Sequence, residues 1–135
     1  MNRSVMTAVV LTSIFMTNNS FAHCPVTKHA EVPVITQLTY HDARGLLLKA
    51  GWQPVQTIHY NDIENSDISY GNGALFWNKG YTELESCAGT GLAPCLFDFA
   101  DIYGNHLKVV TLGEESPENN IYASVDRYWL ACEEL

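Results

Sequence analysis

Basic residues are scarce in this 135-residue sequence. It contains seven Lys and Arg against 15 Asp and Glu, which gives a formal net charge of −8 at pH 7. Proteins that bind nucleic acids or anionic membrane surfaces draw much of their affinity from basic patches. The shortage of positive charge therefore argues against both kinds of partner, and it is compatible with a cationic protein partner.

The N-terminal region lacks an apolar run long enough to cross a lipid bilayer, which takes about 20 residues. Val5 to Met16 is largely apolar but shorter, and Arg3 precedes it. Ser20-Phe21-Ala22 then offers the small residues that signal peptidase requires around its cleavage site. We therefore expect residues 1–22 to be a secretory signal peptide, so that the mature protein is periplasmic or secreted and has no membrane anchor.

Residues 23–135 are then expected to form a single domain. A polypeptide of this length buries roughly two-thirds of the surface that it exposes when unfolded. Removal of residues 1–22 takes away one basic residue, Arg3, and no acidic one, so the formal net charge of the mature protein becomes −9.

Short Cys-x2–4-Cys pairs, which structural zinc sites favour, are also missing. The four cysteines are Cys24, Cys87, Cys95 and Cys132, and an even number in an exported domain indicates two disulfides. We favour Cys87–Cys95, which would brace the loop between them, and Cys24–Cys132, which would join the ends of the domain. Zinc binding by these cysteines is the alternative.

One amphipathic helix is predicted near the start of the mature domain. Thr39 is suited to its N-cap, with Asp42 at the capping-box position, and Gly51 is suited to a left-handed C-cap. Gly45 within the helix costs about 1 kcal/mol relative to alanine, which predicts that another element packs closely there. The apolar stripe comprises Tyr40, Ala43, Leu46, Leu47 and Ala50.

The region from Tyr81 to Leu112 has the clearest strand pattern. Strands are predicted at Tyr81–Cys87, Cys95–Phe99 and Leu107–Leu112, joined by the loop 88–94 and by a turn through Gly104. Alternate residues of such strands share one face. The face expected to be buried carries Cys95, Phe97, Phe99, Leu107 and Val109.

The other segments complete the predicted fold. Residues 30–37 are expected to be an edge strand or arm, residues 61–73 a long polar surface loop, and residues 74–79 a short helix. Residues 121–132 are expected to form the last strand. The fold class is therefore α+β, with the N-terminal helix packed on a twisted antiparallel meander and disulfides stapling the domain.

The cysteines have a catalytic and a structural interpretation. Cys87 or Cys95 beside His106 or His59 could form a thiol–imidazole pair, but a nucleophile must be a free thiolate. An exported protein with a matched neighbouring cysteine favours the disulfide. We therefore predict no catalytic residue, no enzyme activity, no metal and no cofactor.

Two groups of acidic residues likewise have a chemical and a structural interpretation. Glu83 and Glu85 alternate along one strand and could act as an acid pair, but the solvated face of a strand is the favoured interpretation. Asp98 and Asp101 with Asn105 could bind calcium, but they supply few ligands, and a hairpin turn is favoured.

Partner-binding residues are predicted in the loop between Cys87 and Cys95 and among the aromatic residues around the polar loop. Tyr and Trp are favoured anchors at protein interfaces. Trp52 and Trp129, in contrast, are expected in the core. The predicted partner-binding residues are Thr90, Leu92, Tyr70, Trp77 and Tyr81.

Two strings of residues resemble a known group of proteins. The string ELESCAGTGLAPCLFDFADIYGNHLKVVTLG, from Glu83 to Gly113, resembles small exported proteins of Gram-negative bacteria that share a Cys-x-Gly-Thr-Gly-Leu-x-Pro-Cys hairpin and have no assigned activity. The string ARGLLLKAGWQP, from Ala43 to Pro54, is similar to the helix that accompanies this hairpin in the group. The resemblance implies a shared fold and a periplasmic location, and it implies no activity.

The function expected from these features is contact rather than catalysis. Acidic charge, a braced loop and surplus aromatic residues favour a non-enzymatic periplasmic binding protein, such as an inhibitor or immunity protein that acts on a basic enzyme or toxin. The alternative is an accessory or assembly module of the cell envelope.

Overall fold

The computed structural model describes residues 28–131. The predicted signal peptide and the predicted Cys24–Cys132 disulfide therefore lie outside the described residues. Among residues 28–131, no helix has the length and apolar character needed to span a membrane. The helices are α1 (Tyr40–Lys49) and α2 (Gly71–Asn78), and the strands are β1 (Gln53–Pro54), β2 (Leu84–Cys87), β3 (Cys95–Ala100), β4 (His106–Leu112) and β5 (Ser124–Ala131).

The strands form one open antiparallel sheet with the order β1-β3-β4-β5. The short strands β1 and β2 share one edge of β3, with β2 beside the start of β3 and β1 beside its end. Phe97 lies opposite Val109, and Phe99 lies opposite Leu107. The predicted meander and its pairing are confirmed.

The buried face of this sheet is covered by the two helices. Phe97 and Phe99 of β3 are fully buried. The Tyr40 ring of α1 stacks on Phe97 with 3.7 Å between ring centroids, and the Phe76 ring of α2 meets both rings edge-on. Such aromatic pairs contribute about 0.5–1.5 kcal/mol each beyond their buried area. The α+β class, with a helix packed on the sheet, is therefore confirmed.

Both ends of α1 have the predicted caps. The Asp42 backbone N–H donates to the Thr39 hydroxyl oxygen over 3.2 Å at the N-terminus. Gly51 has φ 98° just beyond the C-terminus, and the Trp52 N–H donates back to the Leu47 carbonyl over 3.0 Å. This is the Schellman arrangement, in which glycine is favoured because it adopts a left-handed backbone without strain.

Three predictions about packing are wrong. Leu46 is exposed rather than part of the buried stripe, and Gly45 is exposed, with no atom within 4 Å of the place that a Cβ would occupy. Trp129, expected in the core, is 43% exposed. It lies opposite Lys108 on the sheet face that neither helix covers, which explains its exposure.

The segment predicted as a surface loop, residues 61–73, is partly helical. A 3₁₀ helix covers Tyr60–Asn65, and α2 begins at Gly71, before the predicted start of that helix. Ile68 is fully buried and holds this segment against the core. A Cβ at Gly73 would lie 2.5 Å from the Ile68 Cα, so the absence of a side chain lets α2 begin here in close contact with Ile68.

Residues 28–35 form an extended arm rather than a strand. The Ala30 N–H donates to the Asp101 carboxylate over 2.9 Å, and the Trp52 indole N–H donates to the Glu31 carbonyl over 2.8 Å. Trp52 is fully buried, as predicted. The arm is thus held by hydrogen bonds to side chains, because it is not paired with a strand of the sheet.

Candidate functional site: a groove beside the braced loop

A disulfide joins Cys87, the last residue of β2, to Cys95, the first residue of β3. The two residues are direct partners in the sheet, with 4.1 Å between their Cα atoms, and both are buried. The Ala88 N–H donates to the Pro94 carbonyl over 2.8 Å just above the disulfide. The predicted brace is confirmed, and neither of these cysteines is a free thiol nucleophile.

The loop 88–94, which we call the braced loop, presents its tip to solvent. Thr90 is exposed, and Leu92 is 68% exposed. Ala93 adopts φ 49°, a left-handed conformation that is uncommon for residues other than glycine. The Ala93 N–H donates to the Thr90 carbonyl, and the Gly113 N–H donates to the Leu92 carbonyl, over 3.2 and 2.7 Å. These bonds fix the conformation of the tip.

Tyr70 packs directly against the braced loop. Its side chain is 55% exposed, and a Cβ added at Gly89 would lie 2.8 Å from the Tyr70 Cε2. Glycine at this position therefore allows the ring to approach the loop backbone closely. Tyr70 and the braced loop form one continuous surface.

A groove of about 320 Å³ opens beside this surface, between the braced loop, the start of α2 and the loop that follows β4. Four of the described residues that line it are acidic, and none is basic. Electrostatic attraction in such a groove favours a cation. The acidic lining residues are Asp67, Glu114, Glu115 and Glu118.

Asn72 joins the three walls of the groove. Its side-chain amide donates to the carbonyls of Ala93 and Gly113 over 3.3 and 2.8 Å. Its Oδ1 accepts a hydrogen bond from the Glu115 backbone N–H over 2.9 Å. Because one side chain satisfies backbone groups of two loops, the groove has a fixed shape without a bound partner.

The acidic residues of the groove differ in their environments. Glu115 is buried, and its carboxylate accepts hydrogen bonds from His41 Nε2 over 2.5 Å and from the Ala123 N–H over 3.0 Å. Glu118 is exposed, and a hydrogen bond from the Ser116 hydroxyl holds the pKa of Glu118 below its usual value. Asp67 and Glu114 are also exposed. The charges available to a partner are therefore those of the three exposed carboxylates.

Three of the five predicted partner-binding residues lie at this site. Tyr70 lines the groove, and Thr90 and Leu92 belong to the braced loop. Trp77 and Tyr81 do not line it, and both are half-buried against the core. Four other residues of the groove were not predicted from the sequence: Asp67, Asn72, Glu114 and Glu118.

Glu83 lies away from the groove, and the prediction that it is solvated is wrong. Its side chain is fully buried, and its Oε1 accepts hydrogen bonds from the Tyr40 hydroxyl over 2.7 Å and from Arg44 Nε over 2.6 Å. Burial, together with the charge of Glu83, raises the pKa of Tyr40 well above its usual value.

The different surroundings of Glu83 and Glu85 have a structural cause. Glu83 precedes β2, and the register of β2 against β3 shifts between Leu84 and Ser86. A bulge of this kind breaks the alternation of faces on which the prediction depended. Glu85 is partly exposed, and its carboxylate accepts a hydrogen bond from Lys108 Nζ over 2.7 Å.

Asp101 organises the turn between β3 and β4, as the hairpin interpretation predicts. Its carboxylate accepts hydrogen bonds from the backbone N–H groups of Ala30, Tyr103 and Asn105, each over 2.9 Å. Asp98 instead pairs with its neighbours on the open sheet face. Within the described part of the protein, no three His, Cys, Asp or Glu side chains are arranged to hold a metal ion.

Comparison of the sequence and fold with protein-family models, with curated proteins and with solved structures gave no match. The candidate function therefore depends on the geometry and charge of this protein alone.

Proposed function

We propose that this protein is a non-enzymatic, exported binding protein that docks a cationic protein, such as a basic enzyme or toxin that it inhibits. One observation carries the proposal. The exposed carboxylates of Asp67, Glu114 and Glu118 surround a preformed groove whose other wall is a disulfide-braced loop.

The size and lining of the groove suit a long basic side chain. About 320 Å³ is at the lower end of the range for small-molecule pockets, and it would accept a single Lys or Arg side chain. The aliphatic stem would lie along Leu75 and Tyr70, and the charged head would face the carboxylates. The Tyr70 ring can also attract a cation through its face.

The braced loop would supply the apolar part of the interface. Leu92 projects from a tip that a disulfide and backbone hydrogen bonds already hold in place. A preorganised loop loses little conformational entropy on docking, so more of its contact energy appears as affinity. The acidic groove would mainly increase the association rate, and salt would weaken this effect.

Binding rather than catalysis is proposed because of the chemistry of the groove. Its described lining residues supply carboxylates, the Asn72 amide and the hydroxyls of Tyr70 and Ser116, and the sulfur of Cys87 is in the disulfide. Glu115 is the acid nearest to a histidine, but His41 and Ala123 occupy both of its oxygens. Ser116 donates its hydroxyl hydrogen to Glu118 over 2.6 Å, but Ser116 is buried, and no histidine or free thiol is among the described residues that line the groove.

The proposal is tested by comparative capture from periplasmic extract. The bait is the wild-type protein or a groove variant that combines Asp67→Asn, Glu114→Gln and Glu118→Gln. We expect a basic protein that the wild type retains at low salt and that the groove variant does not retain.

A matched control variant distinguishes the loss of the groove carboxylates from the loss of net negative charge. Glu31→Gln, Asp62→Asn and Glu64→Gln remove the same number of charges from exposed positions outside the groove. The control should retain the same partner as the wild type. Retention of the same proteins by all three baits, or of none by the wild type, would overturn the proposal.

The alternative, a cell-envelope accessory module, is favoured by a different surface. The sheet face opposite the helices has an open groove of about 280 Å³ that includes Leu96, Val110 and the exposed Trp129. A partner that is lost on Trp129→Ser but kept by the acidic-groove variant would support this alternative.

A further inference from the structure

Arg44 on α1 is held in one orientation by two contacts. Its Nε donates to the buried Glu83 carboxylate over 2.6 Å. The centre of its guanidinium lies 4.3 Å from the centroid of the Tyr81 ring. The Arg44 side chain is 20% exposed, so only part of the group reaches the surface. A surface arginine normally loses rotamer freedom when it binds, and here the fold has already restricted that freedom.

The outer edge of this guanidinium has no partner among the described residues. Of the three guanidinium nitrogens, only Nε donates to Glu83, and no described residue accepts a hydrogen bond from either Nη atom. Neither Nη belongs to the buried atoms that lack a partner, so both reach solvent. Two parallel Nη donors match the two oxygens of a carboxylate in the bidentate geometry that arginine favours.

Aromatic rings extend from Arg44 along the surface. The Tyr81 ring lies beneath the guanidinium, the His41 ring is 5.6 Å from Tyr81, and the exposed Tyr122 ring is 5.6 Å from His41. Tyr81 and Glu115 engage both nitrogens of His41, which fixes the imidazole. This surface is therefore rigid and partly apolar, and the Arg44 Nη groups are hydrogen-bond donors at its edge.

We propose that Arg44 is the centre of a second binding site, which takes a carboxylate group through its Nη edge. The site has the opposite charge preference to the acidic groove, and it does not depend on the function proposed for that groove. A singly charged carboxylate suits the site better than a doubly charged phosphate, because the Glu83 carboxylate contacts Arg44 and the Glu115 carboxylate contacts the neighbouring His41. The carboxylate would come from an acidic side chain or from the C-terminus of a polypeptide.

The test is a titration of ¹⁵N-labelled protein followed at the Arg44 Nε–H resonance. One probe is the peptide acetyl-Gly-Asp-Gly-amide, and a second is acetyl-Gly-Gly-Gly with a free C-terminal carboxylate. The control probe, acetyl-Gly-Asn-Gly-amide, has nearly the same shape without the charge. We expect a saturable shift with at least one acidic peptide, and binding of the control at least about tenfold weaker. The peptide that binds more tightly identifies the source of the carboxylate.

Two variants separate a binding site from a merely structural ion pair. Arg44→Lys keeps a positive charge near Glu83 but lacks the planar edge and the Nε–H resonance, so this variant is followed at the backbone amide of Tyr122. The acidic peptide should shift that amide saturably in the wild type and should not do so in Arg44→Lys. Lys49→Gln removes an exposed charge from the same helix and should leave binding unchanged.

The proposal is overturned if the wild type shows no saturable shift with either acidic peptide, or if the amide control binds equally well. In both cases Arg44 serves only to neutralise Glu83. The variant with the three groove carboxylates neutralised should bind the acidic peptide like the wild type, so failure of one site is distinguishable from failure of the other.

Discussion

Asn72 accepts a hydrogen bond from the backbone N–H of Glu115 over 2.9 Å, and the same side chain donates to the carbonyls of Ala93 and Gly113. One residue at the start of α2 therefore connects the braced loop to the acidic loop. The shape of the groove therefore depends on this amide, whereas the charge of the groove comes from its carboxylates.

Replacement of Asn72 by alanine should lower the free energy of unfolding by about 1–3 kcal/mol, because partly buried backbone groups lose their partners. Urea unfolding followed by circular dichroism measures the change. Asn78→Ala, at an exposed position on the same helix, should change stability by less than about 0.5 kcal/mol. Equal effects of the two substitutions would show that Asn72 does not hold the loops together.

Gly45→Ala should stabilise the protein by about 1 kcal/mol. The position is exposed in the middle of α1, no atom lies within 4 Å of the new Cβ, and alanine has the higher helix propensity. Gly73→Ala makes the same substitution in α2 and should have the opposite effect, because the Cβ of an alanine at position 73 would lie 2.5 Å from the Ile68 Cα. It should destabilise the protein by about 1–3 kcal/mol. Thermal unfolding of both variants checks the signs, and a loss of stability in Gly45→Ala would contradict the description of α1.

Acidification should weaken the fold through Asp101. Burial alone would raise the pKa of this carboxyl, but hydrogen bonds from Asn105, Ala30 and Tyr103 outweigh burial and hold the pKa below its usual 3.8. The unfolded state therefore takes up the proton first, so the stability that Asp101 contributes is present above pH 3.8 and is lost as the pH falls through the folded-state pKa.

The free energy of unfolding measured across this acid range should fall less steeply for Asp101→Asn than for the wild type. Asp126→Asn removes an exposed carboxylate and controls for net charge. An unchanged slope in Asp101→Asn would mean that the carboxylate of Asp101 is not stabilised by the arm and the turn.

Arg44 and Glu83 should be energetically coupled. Arg44→Met leaves a fully buried carboxylate without its cation and should cost about 3 kcal/mol, the lower end of the range for a broken buried pair because Arg44 is partly exposed. Adding Glu83→Gln to Arg44→Met removes the uncompensated charge and should recover part of that loss. A double-mutant cycle from urea unfolding measures the coupling. Additive effects of the two substitutions would contradict the ion pair.

The sheet and α1 could be predicted because local signals specify them. Thr39 and Gly51 cap α1 through contacts within a few residues, and the two-residue spacing of Cys95, Phe97 and Phe99 indicates the buried face of β3. A pairing of adjacent cysteines across one loop is similarly local, and the structure confirms Cys87–Cys95.

The groove and the environment of Glu83 could not be predicted in this way. The groove forms where Asn72, Gly89 and Glu114 meet from three segments that are distant in the sequence. No periodic pattern within one segment encodes such a meeting. The prediction for Glu83 fails because a register shift after Leu84 interrupts the alternation of faces.

The proposed function depends most on the claim that the acidic groove binds a cationic side chain. The direct measurement is a ¹⁵N NMR titration of the protein with the basic peptide acetyl-Lys-Gly-Lys-amide. The largest amide shifts are predicted at Tyr70, Gly89 and Glu114, and neutralisation of the three groove carboxylates should abolish them. Shifts spread evenly over the acidic surface, or undiminished in that groove variant, would contradict the claim.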